Sequence, residues 1–81
     1  MIDIRVDDIL IGHIDPAELT IGDQIELENA KGARDIVAWL RIHAGMDKDA
    51  EAKLVKMPLR KIKELGDGVS QAMMAAVELP N

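Results

Sequence analysis

Two histidines, three alternating acids and a run of five bases are the residues of this chain whose types and spacing could do chemistry. An imidazole works as a general acid–base or as a metal ligand only with partners in reach. Neither His13 nor His43 has other ligand residues recurring with it at metal-site spacing, and the chain has no Cys. No catalytic or metal role is therefore expected of them. His43, near the end of an apolar helical stretch, is read as a favourable partner for a helix C-terminus, and His13 as a loop residue. Asp47, Asp49 and Glu51 alternate like the first ligands of a calcium loop. However, Ala52 stands where the loop needs Gly and Pro58 where it needs a bidentate Glu. Helix capping accounts for Asp47 and Asp49 without a metal.

Asp67-Gly68-Val69-Ser70 invites comparison with acyl carrier proteins, which are similarly short, acidic and helical. Those carriers bear their prosthetic arm on a Ser directly after an Asp, whereas Ser70 lies three residues beyond Asp67 and inside a helical pattern. No cofactor is expected. Lys53, Lys56, Arg60, Lys61 and Lys63 form an acid-free basic stretch around Pro58 that could contact phosphate. The chain's net charge of −5 and the lack of aromatic stacking groups argue against nucleic acid, as does the lack of a recognition-helix signature. A solvated helix face, or contact with an acidic protein surface, is the expected use of these bases. Met57, Met73 and Met74 offer adaptable apolar surface. Met73 falls on a core stripe and Met74 about 100° away from it, on a face free for contact. Leu54, Met57, Arg60, Lys61 and Met74 are the candidate partner-binding residues, and the chain is not expected to be an enzyme.

The elements that must position these residues are mainly helical. Ile2, Ile4 and Val6 alternate with Asp3 and Arg5 in the period-two pattern of a half-buried strand, and Ile9 to Ile11 offer a second short one. Asp7-Asp8 lacks the Gly that favours a two-residue hairpin loop. Asp15-Pro16 ends this strand region, residues 1–14. Thr20 and Asp23 make a capping box for a first helix, 21–31, stopped by Gly32 and placed at the domain edge by its poor apolar stripe. The second helix, 33–44, carries Ile36, Val37, Trp39 and Leu40, should be the most buried element, and should close with Gly45 in a left-handed cap. Asp47 starts a third helix, 48–56, and Pro58 a fourth, 59–77, in which Gly66 and Gly68 leave room for a bend or break. The expected fold is a small bundle of three to four helices with a short N-terminal β-strand or hairpin.

Its core must be aliphatic around one aromatic, Trp39, with Ile36 and Leu40 beside it as anchors. At 81 residues the chain is one small domain of marginal size, without disulfides to staple it. The acidic opening Asp3, Asp7 and Asp8 predicts no signal peptide, and no apolar run is long enough for a membrane span, so the expected location is cytoplasmic. Charge is segregated: residues 1–30 carry −7, residues 31–63 carry +5 and residues 64–81 carry −3. Neutralisation between facing helices is the expected use of this pattern.

Read in order, Asp15-Pro16-Ala17-Glu18-Leu19-Thr20-Ile21-Gly22-Asp23 runs into an acidic helix. The apolar Ile36-Val37-Ala38-Trp39-Leu40 segment follows, and then Met57-Pro58-Leu59 before a last helix. Over residues 14–78 this order resembles the small tail assembly chaperones of long-tailed bacteriophages. The chain departs from that family's pattern at Gln24, Gly66 and Gly68. The resemblance implies a non-enzymatic, cytoplasmic factor that binds the tape measure protein, keeps its long helices soluble and helps recruit tail tube protein subunits. A small virion structural or connector protein, or a small regulatory module such as an antitoxin or a DNA-binding protein, are the competing classes.

Overall fold

The computed structural model describes residues 1–80 and is mainly helical, with four α-helices following an N-terminal antiparallel hairpin. Strands β1, Ile2–Val6, and β2, Ile9–Ile14, pair from Ile2 opposite Ile14 to Val6 opposite Ile9. Asp7 and Asp8 turn the chain with φ of 52° and 62°, the both-positive pattern of a type I′ turn. Short polar Asp side chains tolerate this region better than most, and contacts from elsewhere hold them there. The Asp7 amide donates to Glu64 Oε1 at 3.0 Å, Lys61 Nζ donates to Asp7 Oδ1 at 2.6 Å, and Arg5 Nη1 donates to the Asp8 carbonyl at 3.4 Å.

β2 is not a simple alternating strand. Ile4 pairs with Gly12 and Arg5 with Leu10, so Ile11 is an extra residue in a β-bulge. Strict alternation would send Ile11 and Ile14 to opposite faces. The bulge resets the pleat, and both are buried against the helices while His13 and Leu10 face outwards.

Helix α1 spans Ile21–Glu28 and opens on the expected capping box. Thr20 Oγ1 accepts from the Asp23 amide at 3.1 Å, and Asp23 Oδ2 accepts from the Thr20 amide at 3.0 Å. It ends three residues earlier than the expected 31, with Asn29 as its C-cap. Gly32 is extended and begins α2, Ala33–His43, while Asp35 reaches back to accept from the Lys31 amide at 2.9 Å. Gly45, at φ +60°, closes α2 as its position suggests. Helix α3 covers Lys48–Leu54 under an Asp47 cap. It stops short of residue 56 because Lys56 and Met57 already make tighter three-residue turns back to Lys53 and Leu54. After Pro58 a 3₁₀ turn, Leu59–Lys61, leads into α4, Ile62–Glu78, which runs unbroken through Gly66 and Gly68.

α4 lies along β1, α3 against β2, and α1 against α2, so the helices gather around the hairpin. The core joins Ile4, Val6, Ile11 and Ile14 from the hairpin to Trp39, Leu40 and Ala44 of the α2 region, Met46, and Leu65, Val69 and Ala72 of α4. Four of the five largest fully buried side chains belong to the hairpin, the exception being Leu40. The expectation that α2 would be the most buried element is corrected: α2 buries Trp39 and Leu40 but leaves Ile36 half-buried and Ile42 72% exposed. Two strands enclosed on one face by several helices have nowhere to expose that face, whereas α2 lies at one side of the core.

Candidate functional site

An apolar groove of about 340 Å³ opens where α2, the end of α3 and the start of α4 converge. α2 contributes Ala33, Ile36 and Val37, α3 and its cap Leu54 and Val55, the connecting segment Met57, Pro58 and Leu59, and α4 Ile62 and Leu65. A second hollow of about 250 Å³ shares Ile36, Ile62 and Leu65 with the first and continues along α4 past Val69 to Ser70, with Leu27 and Ala30 opposite. The two form one trough between α2 and α4, which hardly touch each other along this side. The α3 cap and the short 3₁₀ turn project apolar side chains outwards here: Val55 is 62% exposed and Leu59 78%.

The groove brings together part of the candidate partner-binding set. Leu54, Met57 and Lys61 line it. Arg60 is exposed on the turn between the lining residues Leu59 and Lys61 without lining the hollow, and Met74 is exposed on α4 beyond both hollows. Of the anchors, Trp39 and Leu40 are buried in the core, whereas Ile36 is only half-buried and forms part of the groove wall. Sequence periodicity marks Ile36 as apolar-facing but does not show that its facing helix stands off. Ile62 and Leu65, which join the two hollows, were legible only as core-stripe residues.

Lys61 is the one base of the acid-free stretch bound into the fold. Its ammonium lies 2.6 Å from Asp7 and 3.8 Å from Glu64, and the Asp7 carboxylate raises its pKa above the ordinary lysine value. Lys53, Lys56, Arg60 and Lys63 make no salt bridge among the described residues. Charge neutralisation between the acidic and basic blocks is thus partial, passing through Lys61 and leaving these four bases to solvent. Arg41, also in the basic block, pairs in a two-pronged contact with Glu51 that lowers the glutamate's pKa and raises the arginine's.

His43 lies at the end of α2 as its spacing suggests, whereas His13 does not lie in a loop. It belongs to β2, and its Nδ1 lies 2.7 Å from Asp3 Oδ1, a hydrogen bond that lowers the Asp3 pKa. His43 stands in the last turn of α2, but its Nε2 addresses α1, at 3.2 Å from Glu26 Oε2 and 3.7 Å from Asp23 Oδ1. Its ring lies against Trp39, with centroids 4.8 Å apart. The antiparallel approach of α1 and α2 joins residues 17 to 20 positions apart, a separation no local motif displays. Asp47 caps α3 as expected, its Oδ1 accepting from the Ala50 amide at 2.8 Å. Among the described residues no helix is long and apolar enough to cross a membrane. No family model, curated protein or solved structure matches the chain.

Proposed function

We propose that this chain is a non-enzymatic binding protein of the tail assembly chaperone type, a small helical bundle on a hairpin base, acting in the host cytoplasm on the tape measure protein. The observation that carries the reading is the open trough between α2 and α4, walled by Ile36, Val37, Leu54, Met57, Ile62 and Leu65. An amphipathic client helix lays its apolar stripe into such a groove, and covering that stripe is what keeps a long helical client soluble before assembly. Thioether and aliphatic walls adapt to a succession of stripes along one client. The unpaired Lys56 and Arg60 beside the groove favour a client whose flanking residues are acidic. The order of the Thr20-capped helix, the Trp39 helix and the Pro58-led helix adds the resemblance to the tail chaperones.

The test is reversible complex formation between the purified chain and a tape measure protein, followed by calorimetry and size-exclusion chromatography. Leu59→Glu alters a side chain that is 78% exposed; it should leave the far-ultraviolet circular dichroism unchanged and weaken the complex at least roughly tenfold, as expected for a contact worth above ~1.4 kcal/mol. Wild-type affinity in this variant would remove the groove from the reading. Recovery of the chain from purified particles would make it a structural component instead, and a steep salt dependence of binding to duplex DNA would assign the unpaired bases to a regulatory module.

A further inference from the structure

We propose that Asp23, Glu26 and His43 form a binding site for a divalent first-row transition ion, with zinc as the reference ion, that clamps α1 to α2. The three side chains each offer one ligand atom, and these atoms all lie within 4.8 Å of one another. Ligands bonded to a common ion at about 2.1 Å stand roughly 3.0 to 3.4 Å apart in octahedral or tetrahedral geometry. His43 Nε2 is 3.2 Å from Glu26 Oε2, within that range, and 3.7 Å from Asp23 Oδ1, a few tenths of an ångström beyond it, so small rotations of the Asp23 and Glu26 carboxylates toward a common centre complete the set.

Two of the three ligands are already oriented, the condition that separates a built site from a chance meeting of charges. Asp23 has its second carboxylate oxygen held by the Thr20 amide at 3.0 Å, and its backbone carbonyl accepts from Trp39 Nε1 at 3.0 Å. This leaves Oδ1 turned toward His43. The His43 ring rests on the buried indole of Trp39, and its side chain is only 17% exposed. Glu26, 60% exposed, is the one mobile arm.

One imidazole nitrogen with two carboxylate oxygens suits zinc, cobalt or nickel rather than calcium or magnesium, which prefer oxygen alone. Three protein ligands leave at least one position for water or a partner's donor. The benefit to the fold is local: α1 buries no residue fully, and an ion bridging Asp23 and Glu26 to His43 would fix it to α2.

Trp39 reports on the site. Calorimetric titration with Zn²⁺ should show one saturable equivalent per chain, and Co²⁺ should quench Trp39 fluorescence in a manner reversed by excess Zn²⁺. His43→Gln should abolish both signals and Glu26→Gln should weaken them at least roughly tenfold, while His13→Gln leaves them unchanged. Absence of saturable binding to the wild type would overturn the proposal. So would binding that persists in His43→Gln or is lost in His13→Gln. If His43→Gln fails the circular dichroism check for folding, Glu26→Gln decides, because its exposed side chain carries no fold; unaltered affinity there overturns the clamp.

Discussion

Gly12 shows how a single residue sets the fit between two elements. A Cβ built there would meet the Ala44 carbonyl oxygen at 2.4 Å, while the next amide, of His13, donates to that same oxygen at 2.8 Å. The strand and the end of α2 are therefore in backbone contact, which any side chain would wedge apart. Gly12→Ala should destabilise the protein by on the order of 1–3 kcal/mol, read as a lower urea midpoint at unchanged slope. Trp39 makes a related point about residue choice. It is 3% exposed yet bonds its indole N–H to the Asp23 carbonyl, so the single aromatic in the core does what Phe could not: it satisfies a backbone acceptor while filling volume.

At the scale of elements, α4 settles what its glycines do. Both lie inside a helix of 17 residues without breaking it, because Leu65, Val69 and Ala72 bury one face against the hairpin and packing outweighs propensity. Gly68 faces Ile4, whose nearest carbons would stand 3.6 Å from an added Cβ, an ordinary contact. Gly66 is exposed, and an added Cβ there meets nothing within 4 Å. Gly66→Ala should therefore stabilise the protein by about 0.5–1 kcal/mol, seen as a raised thermal midpoint. The hairpin teaches the reverse lesson. Its Asp7-Asp8 turn is poor by local preference, and it is held by Lys61 and Glu64 from the start of α4, residues more than fifty positions away.

Over the whole molecule, charge is arranged as a few cross-element pairs and a remainder left to solvent. Asp3 and Glu51 have pKa values lowered in the folded state by hydrogen bonds from His13 and Arg41. A depressed carboxylate contributes stability that is complete above the ordinary carboxylate range and is lost as pH falls through the folded value. Urea midpoints measured from neutral to strongly acidic pH should therefore fall on the acid side, and the fall should be shallower in the Asp3→Asn, Glu51→Gln double variant. Both pairs are exposed, so added salt should reduce the difference. Lys61 acts on the opposite limb: its raised pKa gives a contribution present below the ordinary lysine range and lost as pH rises through the folded value.

Local rules in the sequence determined the helix starts at Thr20 and Asp47, the left-handed stop at Gly45, the first strand and the burial of Trp39 and Leu40, because capping, periodicity and backbone preference each act over a few residues. Tertiary structure decided the rest. The bulge at Ile11 and the continuity of α4 depend on which faces meet. The gap between α2 and α4 that makes Ile36, Ile62 and Leu65 a groove wall depends on how far apart packed helices stand. The meeting of Asp23, Glu26 and His43 depends on the approach of α1 to α2. None of these has a short-range signature, since a side chain's pattern in the chain says which way it faces and not what it will find there.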